Sequence, residues 1–182
     1  MHTLIVGSNE MPRRELIDRI LNQLAPCPPL YGYRSVKEAP DETGNAPIYI
    51  YPAAGVRIRR PENLLGWCRD RQATAYPQVF ERYAYLIEQA EKDGLLLLDE
   101  IGPMESRSPR FCSAVQNALD GEIPILASVR DKDTPFLAQV RNHPKAVCFY
   151  LTQENLHQVY PAALAFLQAQ LNEREPQESE KE

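Results

Sequence analysis

The chain has 182 residues, 43% of them hydrophobic and 25% charged, the balance of one ordinary globular domain with a sizeable core. Its formal net charge of -5 argues against a dedicated nucleic-acid binder, although a local basic patch is compatible with that total. No apolar run is long enough to cross a membrane, so a membrane protein is not expected.

Thr3-Leu4-Ile5-Val6 reads as a first buried strand, Gly7 to Met11 as a polar turn, and Pro12 as the first turn of a helix. Leu16, Ile17, Ile20, Leu21 and Leu24 then recur at helical spacing. Strand, glycine turn and helix are the context of a phosphate-binding loop, G-x-x-x-x-G-K-[ST]. Laid on Gly7, that pattern matches in spacing and differs in chemistry. The span is Gly7, Ser8, Asn9, Glu10, Met11, Pro12, Arg13 and Arg14, with the second glycine falling on Pro12, the lysine on Arg13 and the hydroxyl on Arg14. Pro12 has no N–H to offer a phosphate, and it pushes Met11 toward extended backbone. Arg13 keeps the charge but not the compact ammonium. Arg14 replaces a hydroxyl magnesium ligand with a cation that repels the metal, and Glu10 adds a negative charge. By the motif alone, this is an ordinary strand–turn–helix.

Ala25-Pro-Cys-Pro-Pro stops the helix. Tyr31 to Val36 and Ile48 to Tyr51 read as an antiparallel hairpin beside the main sheet, joined by the polar loop Glu38 to Pro47. Its tyrosines suit cross-strand packing better than base stacking. Residues 53–74 carry Arg57, Arg59, Arg60, Arg69 and Arg71 and read as a solvated basic loop, with a phosphate-facing lid the weaker reading. Gln78 to Lys92 has the apolar stripe of an amphipathic helix.

Leu95-Leu-Leu-Leu has no alternation, and Gly94 and Gly102 confine it to the length of a strand buried on both faces. Asp99 and Glu100 follow at once. An apolar strand ending in Asp-Glu has the form of a Walker B motif, in which Asp99 helps hold Mg²⁺ and Glu100 activates a water. A strand ending in a solvated acidic turn fits this stretch equally well. Ser108-Pro109 caps a further helix, Ile123 to Val129 is a strand, Thr134-Pro135 opens a helix, and Ala146 to Leu151 is a strand. Thr152 is expected to cap the last helical region, which Pro161 should kink or divide. The alternation implies an α/β domain over residues 1–171, its mostly parallel sheet covered on both faces, with residues 172–182 a charged, disordered tail.

Cys27, Cys68, Cys112 and Cys148 are scattered without a C-x-x-C pair and are expected to be buried, reduced thiols of a cytoplasmic protein. His2, His143 and His157 form no ligand pattern, so structural or surface roles are expected. The first strand passes directly into polar residues, unlike a signal peptide.

From Gly94 onward the chain resembles the thermophilic-type, or cancer-related, nucleoside triphosphatases, small P-loop proteins. The resemblance rests on Leu95-Leu-Leu-Leu-Asp-Glu-Ile-Gly-Pro-Met-Glu, Ser108-Pro-Arg-Phe, Pro124-Ile-Leu-Ala-Ser-Val, Pro135-Phe and Thr152-Gln-Glu-Asn. It implies a three-layer P-loop NTPase-like fold, a Mg²⁺–NTP site between the Gly7 loop and Asp99-Glu100, and hydrolysis of nucleoside triphosphates, ATP and GTP among them, to diphosphates with loose base preference. It further implies that Gly7 to Arg14 is the phosphate loop, Asp99 the metal-side acid and Glu100 the catalytic one. Only Gly7, Asp99 and Glu100 match the family in type. Two functions are therefore expected: a triphosphatase with impaired hydrolysis, or a non-catalytic nucleotide-, anion- or protein-binding molecule on the same fold. Either way, the Gly7 loop and the acid pair should face each other at strand ends, with Arg130 on the same rim as a phosphate contact.

Overall fold

The computed structural model describes residues 1–70 and 72–174, and its strands join in one sheet. In chain order they are β1 (His2–Gly7), β2 (Leu30–Lys37), β3 (Ala46–Pro52), β4 (Leu64–Arg69), β5 (Gln72–Ala75), β6 (Leu95–Ile101), β7 (Ile125–Arg130) and β8 (Ala146–Tyr150). The helices are α1 (Arg13–Gln23), α2 (Pro77–Tyr83), α3 (Tyr85–Glu88), α4 (Pro109–Asp120), α5 (Pro135–Arg141) and α6 (Leu156–Asn172). The sheet order is β5-β4-β3-β2-β6-β7-β1-β8.

The leucine run explains that order. Leu95 to Leu98 are all at most 1% exposed, which requires cover on both faces and hence a central position. Leu96 and Leu98 pack with Phe80, Phe111, Val115 and Leu137 of α2, α4 and α5, while Leu95 and Leu97 pack with Ile17, Ile20, Ala163 and Leu167 of α1 and α6. These are the two helical layers. The strands expected in the parallel core are there: β6 pairs β7, β7 pairs β1, and β1 pairs β8, all parallel.

On the other side, β2 also joins β6 in parallel, with Gly32 at φ +92° where a Cβ would collide with the Leu97 carbonyl. Beyond it the sheet turns antiparallel through β3, β4 and β5. The expected antiparallel hairpin is β2 and β3, and it adjoins the parallel core through β2. The stretch 53–74, expected to be a basic loop, contains β4 and most of β5. Only Leu65 and Gly66 of these two strands are buried, so they carry little of the apolar pattern that reveals a strand. Arg59 pairs with Glu38 at 2.6 Å, and Arg71 lies outside the described residues.

Other expectations need correction. The helix expected over Gln78 to Lys92 is α2 and α3, interrupted at Ala84 and ending at Glu88. Thr152 does not cap α6; its N–H donates to Asn155 Oδ1, and the helix begins at Leu156. Pro161 lies inside α6 without dividing it, since one missing N–H is offset by the burial of Val159, Ala163 and Leu167. Cys27 is exposed and the other three cysteines are half-buried, all as free thiols. Of the tail expected to be disordered, Asn172 ends α6, Glu173 follows as its C-cap and Arg174 donates to the carbonyls of Gly94 and Lys92, while residues 175–182 lie outside the described residues.

His2 has the structural role expected of it. It is buried, and since the Leu119 carbonyl only accepts, Nε2 carries the proton of their 2.8 Å hydrogen bond. Burial lowers its pKa from 6.5 to about 4, against the pull of that bond. The unfolded chain therefore takes up a proton that the fold refuses between those values, and stability falls as pH drops through that window. His2→Gln removes the titration and keeps a donor. In urea unfolding it should lose less stability than the wild type between about pH 6.5 and about pH 4, by up to roughly 3 kcal/mol. Parallel pH profiles for the two chains would exclude His2 as the source.

Candidate active site

Sheet order sets the site before any side chain does. The carboxyl ends of β1, β2, β6 and β7 lie side by side, and open α/β sheets place ligand sites at that end. A register shift between Leu98 and Ile101 in the β6–β7 ladder marks a bulge at Asp99-Glu100. Bulges re-aim side chains, and this one accompanies a buried Asp99 and a Glu100 side chain that is 15% exposed.

The Gly7 loop and the acid pair do meet, across β7. What joins them is a guanidinium. Arg13, the first residue of α1 and only 6% exposed, turns back into its own loop. Its Nη1 donates to the carbonyls of Gly7 and Ser8, its Nε to Ser128 Oγ at 3.0 Å, and its Nη2 to Glu100 Oε1 at 3.0 Å. A phosphate loop offers N–H groups to an anion. This one offers carbonyl oxygens to a cation of the same chain.

Pro12 is the local cause. At φ -78° and ψ 56° it centres a three-residue turn in which Arg13 N–H donates to Met11 O at 2.8 Å. Met11 N–H is likewise spent on Ser8 O, and Pro12 has none to give. Asn9 and Glu10 are exposed and take no part in these bonds.

Arg14 bridges both acids, with Nε 3.1 Å from Asp99 Oδ2 and Nη2 3.5 Å from Glu100 Oε2. Its Nη2 also donates to Ser35 Oγ at 2.9 Å, while Ser35 N–H donates to Asp99 Oδ2 at 3.1 Å. Arg34 spans Asp18 at 2.8 Å and Asp99 Oδ1 at 3.9 Å. Arg130 is on the expected rim, but its Nε donates to Glu100 Oε1. Tyr33 OH donates to the Glu100 carbonyl at 2.5 Å.

Protonation follows from these contacts. Burial alone would raise the Glu100 pKa, but Arg130, Arg14 and Arg13 together hold it below its ordinary 4.5. Burial pushes Asp99 up, against Arg14 and Arg34. Glu105, enclosed and accepting the Gly102 N–H at 2.8 Å, is raised to about 8 by burial and by Glu100, and so is largely neutral at neutral pH.

The acid oxygens of this arrangement are paired chiefly with guanidiniums. Among the described residues, no three His, Cys, Asp or Glu side chains converge on a metal position. Asp99 Oδ1 is buried without a hydrogen-bond partner, but its nearest charge is the Arg34 guanidinium.

A family model described as NTPase matches residues 70–164, more than half of the chain. The chain belongs to the NTPase family. The match spans β6 with its acids and β7 with Arg130, and the Gly7 loop lies outside it. Nucleoside-triphosphatase THEP1 of Thermotoga maritima is 31% identical over 85 residues, 47% of this chain and 48% of that protein. Its namesake in Pyrococcus abyssi is 34% identical over 98 residues, 53% and 52% of the two chains. The chain thus spans about half the length of the curated relatives it matches. The crystal structure of THEP1 from Aquifex aeolicus shares the fold with a TM-score of 0.66 and 20% identity, over 92% of this chain and 99% of that one. The solution structure of a human cancer-related nucleoside triphosphatase does so at 0.63 and 20%, over 92% and 97%. The mostly parallel P-loop architecture expected from the sequence is therefore the fold of this NTPase-family chain.

Sequence reasoning missed Ser35, Arg34 and Ser128. Ser128 left a signal, a hydroxyl in an otherwise apolar strand. Ser35 and Arg34 left none, because their importance comes from β2 lying against β6.

Saturated acids have a stability consequence. Glu100→Gln strips the buried Arg13 of its counter-charge and should destabilise the protein by about 3 kcal/mol in chemical denaturation. The loss should shrink as pH falls through the depressed Glu100 pKa, where wild-type Glu100 also becomes neutral. A neutral or stabilising effect would mean that the carboxylate is not a structural counter-ion.

Proposed function

We propose that this NTPase-family chain has impaired or absent hydrolysis of nucleoside triphosphates to diphosphates and phosphate, because its phosphate loop is occupied by Arg13. The observation that carries the reading is the Arg13 guanidinium seated on the Gly7 and Ser8 carbonyls and on Glu100. Three further facts support it. Pro12 and the turn it centres remove loop donors. Glu100, the residue expected to activate water, carries a guanidinium on each oxygen and is a weakened base. Asp99, the expected metal-side acid, is held by Arg14 and Ser35. Losing a single oxyanion-type donor costs about 3 kcal/mol in a transition state, and several are missing here.

A second reading is a nucleotide- or anion-binding protein without catalysis. It is favoured by Arg14 and Arg130, whose side chains are 37% and 25% exposed and present positive charge at the rim. ATP and GTP are the ligands to try under both readings, with magnesium a cofactor only where nucleotide binds. The free cysteines support a cytoplasmic setting, and no described helix is long and apolar enough to cross a membrane.

The test is phosphate release from ATP and GTP with magnesium, paired with calorimetry in its presence and absence. Wild type should release phosphate at about the background rate, and Arg13→Ala and Glu100→Gln should change that little. Glu10→Gly, Pro12→Gly, Arg13→Lys and Arg14→Thr together should gain magnesium-dependent nucleotide binding. Turnover by the wild type that Arg13→Ala abolishes would instead make Arg13 a working substitute for lysine. Tight Mg–ATP binding by the wild type, unimproved in the four-fold variant, would also refute the reading.

A further inference from the structure

We propose that Arg14 is the site's resident cation, seated where a divalent ion would otherwise bind, so that the wild-type site excludes magnesium. This deepens the reading above and rests on it.

A magnesium ion needs hard oxygen donors in near-octahedral array. The site has them: two Asp99 oxygens, two Glu100 oxygens and the Ser35 hydroxyl. Arg14 takes most of this set. Its Nε lies on Asp99 Oδ2, and its Nη2 lies on both Glu100 Oε2 and Ser35 Oγ. One planar fork thus spans both acids and the adjacent hydroxyl, as a metal with two carboxylate ligands would. Glu100 Oε1 is taken by Arg13 and Arg130. Only Asp99 Oδ1 has no hydrogen-bond partner, and it is enclosed with the Arg34 Nη1 atom 3.9 Å away. A single oxygen beside a cation is no seat for a dication.

The position of Arg14 in the chain makes the substitution durable. It stands in the first turn of α1, next to Arg13, so the helix carries both guanidiniums to the acids at once. Displacing one leaves the enclosed acids short of compensating positive charge.

The experiment uses the full chain and manganese as the paramagnetic probe, with bound ion counted by electron paramagnetic resonance. Wild type and Arg14→Lys should leave manganese free, with any dissociation constant weaker than about 1 mM. Arg14→Thr should bind at least about tenfold more tightly, and adding Asp99→Asn should remove the gain. One manganese bound by the wild type below about 1 mM, and lost in Asp99→Asn, would overturn the proposal. A folded Arg14→Thr chain with no gain would overturn it too. Should Arg14→Thr not fold, the wild-type and Asp99→Asn titrations decide alone. Turnover by a wild type that binds no manganese would refute the impaired-hydrolysis reading and leave this one standing. Manganese binding without turnover would do the reverse.

Discussion

A guanidinium taken out of water must have an acceptor for nearly every N–H and a negative charge within reach. Arg13 imposes that demand on the end of the sheet. Gly7 and Ser8 turn their carbonyls toward it, β7 supplies Ser128, and β6 supplies Glu100. The conformation of the loop, the start of α1 and the orientation of Glu100 all satisfy this one buried charge. The remaining arginines then follow, because Glu100 and Asp99 are themselves too enclosed to go uncompensated.

The fold that brings these groups together was largely legible. The unalternating leucines of β6 announced a strand covered on both sides, and the apolar spacing in α1 and the Ser108-Pro109 start of α4 announced two of the covering helices. The edge was not legible, since β4 and β5 bury so little that Gly66, Trp67 and Cys68 read as loop among arginines. The start of α6 was misplaced for a different reason. Thr152 and Asn155 are both good capping residues, and here Asn155 takes the N-cap position while its Oδ1 accepts the Thr152 N–H instead of capping the helix.

At the site, legibility divided along a physical line. Residue types that fail a pattern, such as Pro12 and Arg14, could be judged one by one for what they remove. What they form could not be judged, because charge pairing is a property of the assembled sheet. That Arg13 turns inward while Arg14 reaches to β2 and β6 depends on the bulge at Asp99-Glu100 and on β2 lying beside β6. Arg130 lies on the expected rim, and the partner that the sequence did not reveal is a carboxylate of the chain itself.

The mutual compensation of Arg13, Arg14, Asp99 and Glu100 has a consequence for descent. Substitutions within one charge network are not additive, and removing one member leaves its partners buried and unbalanced. Any single step from this loop toward a lysine and a hydroxyl weakens the network before the new arrangement is complete. The arrangement is therefore epistatic: its members are tolerated together and exchanged poorly one at a time.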